Sequence, residues 1–188
     1  MARIWSLRML PVMMERYWKE TAPWGPVPPC PGGRTWDDLM GLALETARQG
    51  MEAGEVPVGA LVIAGDGRIL SSAHNETVMS CDPTAHAEVL ALRRAAQAGG
   101  NHRLGGAVLV VTLEPCIMCT GAMLEARLSG VVYGAADVRA GAVFSRMEGL
   151  QYAGTGGIPW HYGGVRSKEC ADLLREFFAP RRIGSIIE

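Results

Sequence analysis

The chain has 188 residues, 48% of them apolar and 20% charged, with 18 Lys and Arg against 19 Asp and Glu. A single domain of this length buries a sizeable core, which excludes a disordered chain and a small stapled scaffold, and no apolar run approaches the roughly 18–20 residues of a bilayer span. A net charge of −1 excludes a global cationic field, so a nucleic-acid partner would have to be met locally; five cysteines without a secretory signal point to a reducing, cytoplasmic setting.

Residues 1–34 differ in texture from the rest, with Met1, Met9, Met13 and Met14, the tryptophans Trp5, Trp18 and Trp24, and a proline-rich run over 23–31. They read as a poorly ordered N-terminal extension ahead of a domain over 35–188. Thr35 is placed to cap a helix from Trp36 to about Gly54, with Asp37 and Asp38 in its positive first turn and Met40, Leu44, Ala47 and Met51 on one face. The β-branched run 56–63 and the run 69–74 flank Gly65-Asp66-Gly67 and predict a hairpin, with Pro57 setting the first strand's start at an edge or bulge. A second helix is predicted from Thr84 to Ala98, stopped by Gly99-Gly100, with Val89, Leu92 and Ala96 toward the core. Then come a buried strand over 107–112, a helix with Pro115 in its first turn running to Leu128, and a short strand over 131–133. Residues 134–164 are glycine-rich and read as loop with one short helix, and 167–179 as a last helix ended by Pro180. This alternation predicts an α/β fold, a three-layer αβα sandwich around one mixed sheet.

Two helix starts carry the chemistry: His86-Ala87-Glu88 and Cys116-Ile117-Met118-Cys119. A Cys-x-x-Cys pair in a first turn can aim both sulfurs at one point, and a histidine from a neighbouring helix start completes three corners of a tetrahedron suited to zinc. Helix N-termini favour thiolate over thiol, and two thiolates with a neutral imidazole balance the ion's double charge. A fourth corner then remains for water, which zinc acidifies to a pKa of about 7 in hydrolases. Glu88, two residues past His86, is placed to shuttle protons near the ion without ligating it. Two bland readings stand beside this one. A redox Cys-x-x-Cys needs a thioredoxin-like setting with its first cysteine exposed. A structural zinc needs a fourth ligand from Cys30, Cys81, Cys170, His102 or His161.

The segments 86–88 and 115–119 resemble the signature of the zinc-dependent cytidine deaminase superfamily. Longer runs narrow the likeness to the bacterial tRNA-specific adenosine deaminases: 55–60, His74-Asn75, 82–88, 112–116, 131–135 with Asp137, and Glu169-Cys170 with Phe177-Phe178. The resemblance spans about 36–182. It implies a cytidine-deaminase-like fold, one zinc ion per subunit held by His86, Cys116 and Cys119, and Glu88 as the proton shuttle. The implied reaction is hydrolytic deamination of the wobble adenosine to inosine in a tRNA anticodon loop. Asn75 matches a residue that fixes the nucleoside, Ala87 a backbone N–H directed at the base, and Pro57 and Val58 an apolar wall beside the ring. Asp137 and Arg139 match a loop that meets flanking nucleotides, and Phe178, Arg181 and Arg182 a C-terminal helix that cradles the strand; a core seam and a solvated helix end explain these last residues as well. Single-stranded loops are held by base pockets, stacking and a few phosphate contacts, which reconciles an RNA partner with a charge near zero.

The chain departs from these relatives at 151–162, where their Asn-His pair is missing and Trp160, His161 and Tyr162 either stack in its place or pack the loop. The resemblance also implies a homodimer, for which Met118, Ala122, Met123 and Leu124 offer an apolar face that core packing explains as well. Neither a membrane nor DNA is expected as a partner. Two other functions remain open: deamination of a free nucleobase or nucleotide such as guanine or deoxycytidylate, and a non-catalytic zinc-stabilised RNA-binding subunit, which the presence of Glu88 argues against.

Overall fold

The computed structural model of the chain describes residues 27–152 and 159–184, with side chains through Pro180. Four helices and five strands are described: α1 (Trp36–Glu52), β1 (Gly59–Ile63), β2 (Ile69–His74), α2 (Ala87–Gly99), β3 (Val108–Leu113), α3 (Ile117–Glu125), β4 (Gly130–Ala135), β5 (Trp160–Gly163) and α4 (Ser167–Gly184). One sheet runs in the order β2-β1-β3-β4-β5. β1 pairs antiparallel with β2 and β3, whereas β3–β4 and β4–β5 are parallel, so the sheet is mixed as expected.

β1, β3 and β4 read as continuous apolar runs because both of their faces are covered. Alternate side chains divide between two cores. Ala60, Val62, Leu109, Val111, Val131 and Tyr133 pack with Ala87, Ala91 and Leu92 of α2 and Met123 of α3. Leu61, Ile63, Val108, Val110 and Val132 pack with Leu39, Met40 and Leu44 of α1 and Cys170 and Leu173 of α4. A one-residue slip of any central strand would exchange these sets, so the pattern fixes the register. At Gly59 the chain needs glycine, since a Cβ there would lie 2.1 Å from the Ala43 carbonyl oxygen of α1.

α1 begins where its capping signal places it. The Thr35 hydroxyl accepts from the Asp38 N–H at 3.1 Å while the Asp38 carboxylate accepts from the Thr35 N–H at 2.9 Å, a reciprocal capping box. Residues 27–34, expected as part of a poorly ordered extension, lie against the domain: the Trp36 indole N–H donates to the Pro28 carbonyl, and Val27 and Cys30 pack on the α1 core. The earlier part of that extension, 1–26, lies outside the described residues.

Several boundaries differ from the sequence expectation. Pro57 lies ahead of β1, which starts two residues later and is an interior strand; the irregularity in its pairing falls at Val62/Ile63 instead. α2 and α3 start at Ala87 and Ile117, because His86 and Cys116 are extended N-cap residues rather than first-turn ones. The stretch 134–164, expected as loop, contains β5, which closes the parallel edge of β4. The last helix continues through Pro180 to Gly184. Proline at that position forfeits the bond to the carbonyl four residues earlier but already holds a helical φ, and so near the end the helix persists.

Candidate active site

Three side chains converge between α2 and α3. His86 makes no side-chain cap, so its ring is free to turn away from its own helix, and Nδ1 lies 3.7 Å from Cys116 Sγ and 3.5 Å from Cys119 Sγ. The two sulfurs are 3.6 Å apart. A tetrahedral zinc with bonds of about 2.3 Å to sulfur and about 2.0–2.1 Å to nitrogen spans about 3.8 Å between sulfurs and about 3.6 Å from sulfur to nitrogen. The three edges therefore match a zinc-sized polyhedron, and the donor set is the zinc set. Among the described residues the metal-competent group contains only these three, with none of Cys30, Cys81, Cys170, His102 or His161 beside it, so the fourth corner has no protein ligand there. That removes the structural-zinc reading. The first cysteine is half-buried and the second fully buried, which does not suit redox exchange with an exposed sulfur.

The electrostatics are already arranged for a cation. The hydrogen bond from Cys119, reinforced by His86, brings the Cys116 thiol down to about 4, whereas the same bond and burial push Cys119 up. The pair thus shares a proton unequally, and binding of a cation there favours both sulfurs as thiolates by displacing it. The bond to Cys116 likewise raises His86. Glu88, only 4% exposed, sits in the first turn of α2, where burial raises its carboxyl above the usual range. A buried acid whose neutral form is favoured by burial, beside an imidazole and two sulfurs, is equipped for acid–base work.

The helix start that carries His86 is braced from outside. Because His86 faces the sulfurs, the first free amide of α2 needs another acceptor, and Asn75 at the end of β2 supplies it: the Ala87 N–H donates to Asn75 Oδ1 at 2.8 Å. Asn75 Nδ2 in turn donates to the Val56 carbonyl at 3.1 Å. The Ala87 N–H, matched by resemblance to a donor directed at a base, is engaged by Asn75 in this structure. Pro57 and Val58 are both buried, Val58 within the core that α2 and α3 cover.

Two further carboxylates shape the site, and sequence reasoning assigned them no role. Glu55, fully buried, accepts from the N–H groups of Val78 and Met79 at 2.9 and 2.8 Å and from the Thr77 hydroxyl at 3.2 Å. Glu114, 2% exposed, accepts from the amides of Asp137, Phe144 and Ser145 at 3.0, 2.8 and 2.8 Å. Each holds a loop next to a ligand-bearing segment. The available signal was an acid set directly against apolar or proline neighbours, as in Glu55-Val56-Pro57 and Leu113-Glu114-Pro115.

The remaining predicted residues fall further out. Asp137 Oδ1 accepts from the Arg139 and Ala140 amides, so its side chain organises its own turn. Trp160, His161 and Tyr162 are strand residues of β5: Trp160 packs on Trp36 with centroids 5.6 Å apart, and His161 is buried beside Phe144. Packing, the second of the two readings for this segment, accounts for them. Phe177 is buried, and Phe178, 38% exposed, meets it edge to face. Arg181 and Arg182 continue the backbone of α4, but their side chains lie outside the described residues. On α3, Met123 is fully buried in the core while Met118, Ala122 and Leu124 are half-buried, so Met123 belongs to the core and not to an exposed face.

Residues 34–135 match the cytidine and deoxycytidylate deaminase zinc-binding region. A tRNA(Ile)-lysidine synthase of Deinococcus deserti is 46% identical over 146 residues, covering 78% of this chain but 27% of that protein, so the chain spans about a quarter of the length of this relative. A tRNA-specific adenosine deaminase of Agrobacterium fabrum is 42% identical over 145 residues, covering 77% of this chain and 95% of that one. A solved structure from work on A-to-I editing by tRNA:A34 deaminases superposes with a TM-score of 0.69 at 41% identity, over 72% of this chain and 98% of the other. A guanine deaminase of Nitrosomonas europaea superposes with a TM-score of 0.66 at 25% identity, over 95% and 97%.

Proposed function

The chain belongs to the cytidine and deoxycytidylate deaminase zinc-binding family, and we propose that within it the protein deaminates an adenosine in a tRNA anticodon loop, the wobble nucleotide, to inosine. Water is consumed, the C6–N bond breaks, and ammonia leaves. The observation that carries this reading is the triangle of His86, Cys116 and Cys119 with buried Glu88 beside it. Those three residues would hold zinc, whose chemistry there is Lewis-acid activation of water.

Glu88 does the proton work. As a carboxylate it accepts a proton from the attacking water; as an acid it returns one to the purine ring nitrogen and then serves the departing amine. Burial favours the neutral form and so eases the return steps. Asn75 keeps one Nδ2 hydrogen and one Oδ1 lone pair beyond its two bonds to the fold, enough to hold a nucleoside hydroxyl. Pro57 and Val58 form the apolar wall for the ring. Asp137 orders a turn that presents Arg139 to neighbouring phosphates, and Phe178 with Arg181 lies along the same strand. The protein acts in the cytoplasm as a homodimer bound to a tRNA anticodon stem-loop.

The likeness to relatives named for tRNA adenosine, near 40% identity, supports RNA over a free base. The guanine deaminase likeness, over nearly the whole chain, supports a second reading in which free guanine is the substrate. Incubating the zinc-loaded protein with an anticodon stem-loop and, separately, with guanine and with deoxycytidylate distinguishes them. Inosine in the RNA is expected; ammonia from a free base with the RNA unchanged overturns the proposal.

A further inference from the structure

Glu114 directly follows β3, one residue before Pro115 and two before the ligand Cys116. A carboxylate buried just beyond a strand is costly unless its oxygens are filled, and here they are filled by one loop: Oε1 takes the Phe144 and Ser145 amides and Oε2 the Asp137 amide. The same loop is joined to the ligand segment directly. Cys116 and Gly141 form an antiparallel bridge, and the Ala142 N–H donates to the Pro115 carbonyl at 2.8 Å. Gly141 approaches so closely that a Cβ on it would fall 2.5 Å from the Glu114 carboxylate. The outer surface of the loop is cationic and exposed: Arg139 and Arg146 both face solvent, and among the described residues neither makes an ion pair. Two unpaired guanidinium groups on the loop that is bridged to Cys116 are chemically suited to phosphate.

We infer that Glu114 is a positioning residue whose carboxylate gathers three loop amides and so sets Arg139 and Arg146 at a fixed offset from Cys116, where they receive the backbone phosphates of a single-stranded substrate. The inference rests on the RNA reading above and adds to it a specificity device. The buried acid converts a loop that would otherwise move into a rigid extension of the metal-site strand, so that phosphate capture and base placement share one frame. A free base, having no phosphate, gains nothing from it.

The test compares wild type with Glu114→Gln, which turns one acceptor into a donor facing the loop amides, and with Gly141→Ala, which displaces the loop while leaving the acid intact. Amide exchange over 137–146, KM and kcat on an anticodon stem-loop, and the salt dependence of KM are measured on zinc-loaded protein. Both variants should exchange about tenfold faster in that loop with α2 and α3 unchanged. KM should rise about tenfold with kcat held, and the slope of log KM against log salt should fall by about 0.7 for each phosphate the arginines no longer neutralise. If the wild type edits RNA and both variants keep its KM and salt slope, this inference is wrong and the functional reading stands. Inosine missing from wild-type reactions sinks both, and the exchange data then tell whether Glu114 braces the loop at all.

Discussion

Replacing Asn75 with alanine removes two hydrogen bonds at one stroke, and the structure sets the size of the effect. Asn75 is 8% exposed; its oxygen is the acceptor for the Ala87 amide at 2.8 Å and its nitrogen the donor to the Val56 carbonyl at 3.1 Å. A buried group stripped of its partner costs about 1–3 kcal/mol, so two together, partly relieved by water in the vacated space, amount to about 2–4 kcal/mol. For a domain of this size that is a fall in Tm of roughly 5–15 °C. Asn75→Asp separates the two bonds: it retains the acceptor for Ala87, adds a negative charge at the helix start, and loses only the donation to Val56, so it should fall by about half as much. Urea and thermal unfolding of zinc-loaded protein provide the free energies, and amide exchange at Ala87 reports the bond itself. Stability of Asn75→Ala within about 0.5 kcal/mol of wild type, with protection at Ala87 intact, would refute the bracing role and leave Asn75 as a substrate contact alone.

Glu88→Gln preserves shape but cannot take a proton; zinc content and Tm should match wild type while kcat drops by at least about 10²–10⁴-fold, read from inosine formation at saturating RNA. Unaltered turnover removes Glu88 from the mechanism. A chelator should abolish activity and lower Tm by roughly 5–10 °C, because an ion bound only by the folded state stabilises by about 2.7 kcal/mol at a hundredfold excess over its Kd; a chelated protein with unchanged Tm contradicts a bound ion at the triangle. Burial brings His161 down from 6.5 to about 3. Its neutral form is therefore favoured by folding, and as pH falls below 6.5 the unfolded chain takes up a proton the folded one refuses, losing stability at up to about 1.4 kcal/mol per pH unit until about 3. In parallel pH series His161→Gln should show a shallower acid loss than wild type, and equal slopes would rule out this residue as the cause.

The parts of the fold that were legible in the sequence are those decided locally. Thr35 and Asp38 announce α1 through their capping box, and the β-branched runs of β1, β3 and β4 declare strands buried on both faces. The metal triangle was legible because ligand chemistry demands its spacing, Cys-x-x-Cys at one helix start and a histidine at another. What stayed hidden depends on distant partners. β5 is four residues, Trp-His-Tyr-Gly, with no β-branched side chain; it is a strand because β4 offers it an edge. Glu55 and Glu114 look like solvated acids until donors 22 to 31 positions away fold over them. The two-to-three-residue shift in the starts of α2 and α3 has the same origin: His86 and Cys116 stay extended so that their side chains can turn toward a shared centre, a requirement that helix propensity does not encode.

X-ray absorption at the zinc edge on freshly prepared protein, with metal quantified per chain, addresses the central claim most directly. The expected result is one zinc per chain with two sulfur and one imidazole nitrogen scatterers, a light oxygen atom in the fourth position, and no change in that shell in Glu88→Gln. A third sulfur, a second imidazole, or a protein preparation free of transition metal yet fully active would contradict it.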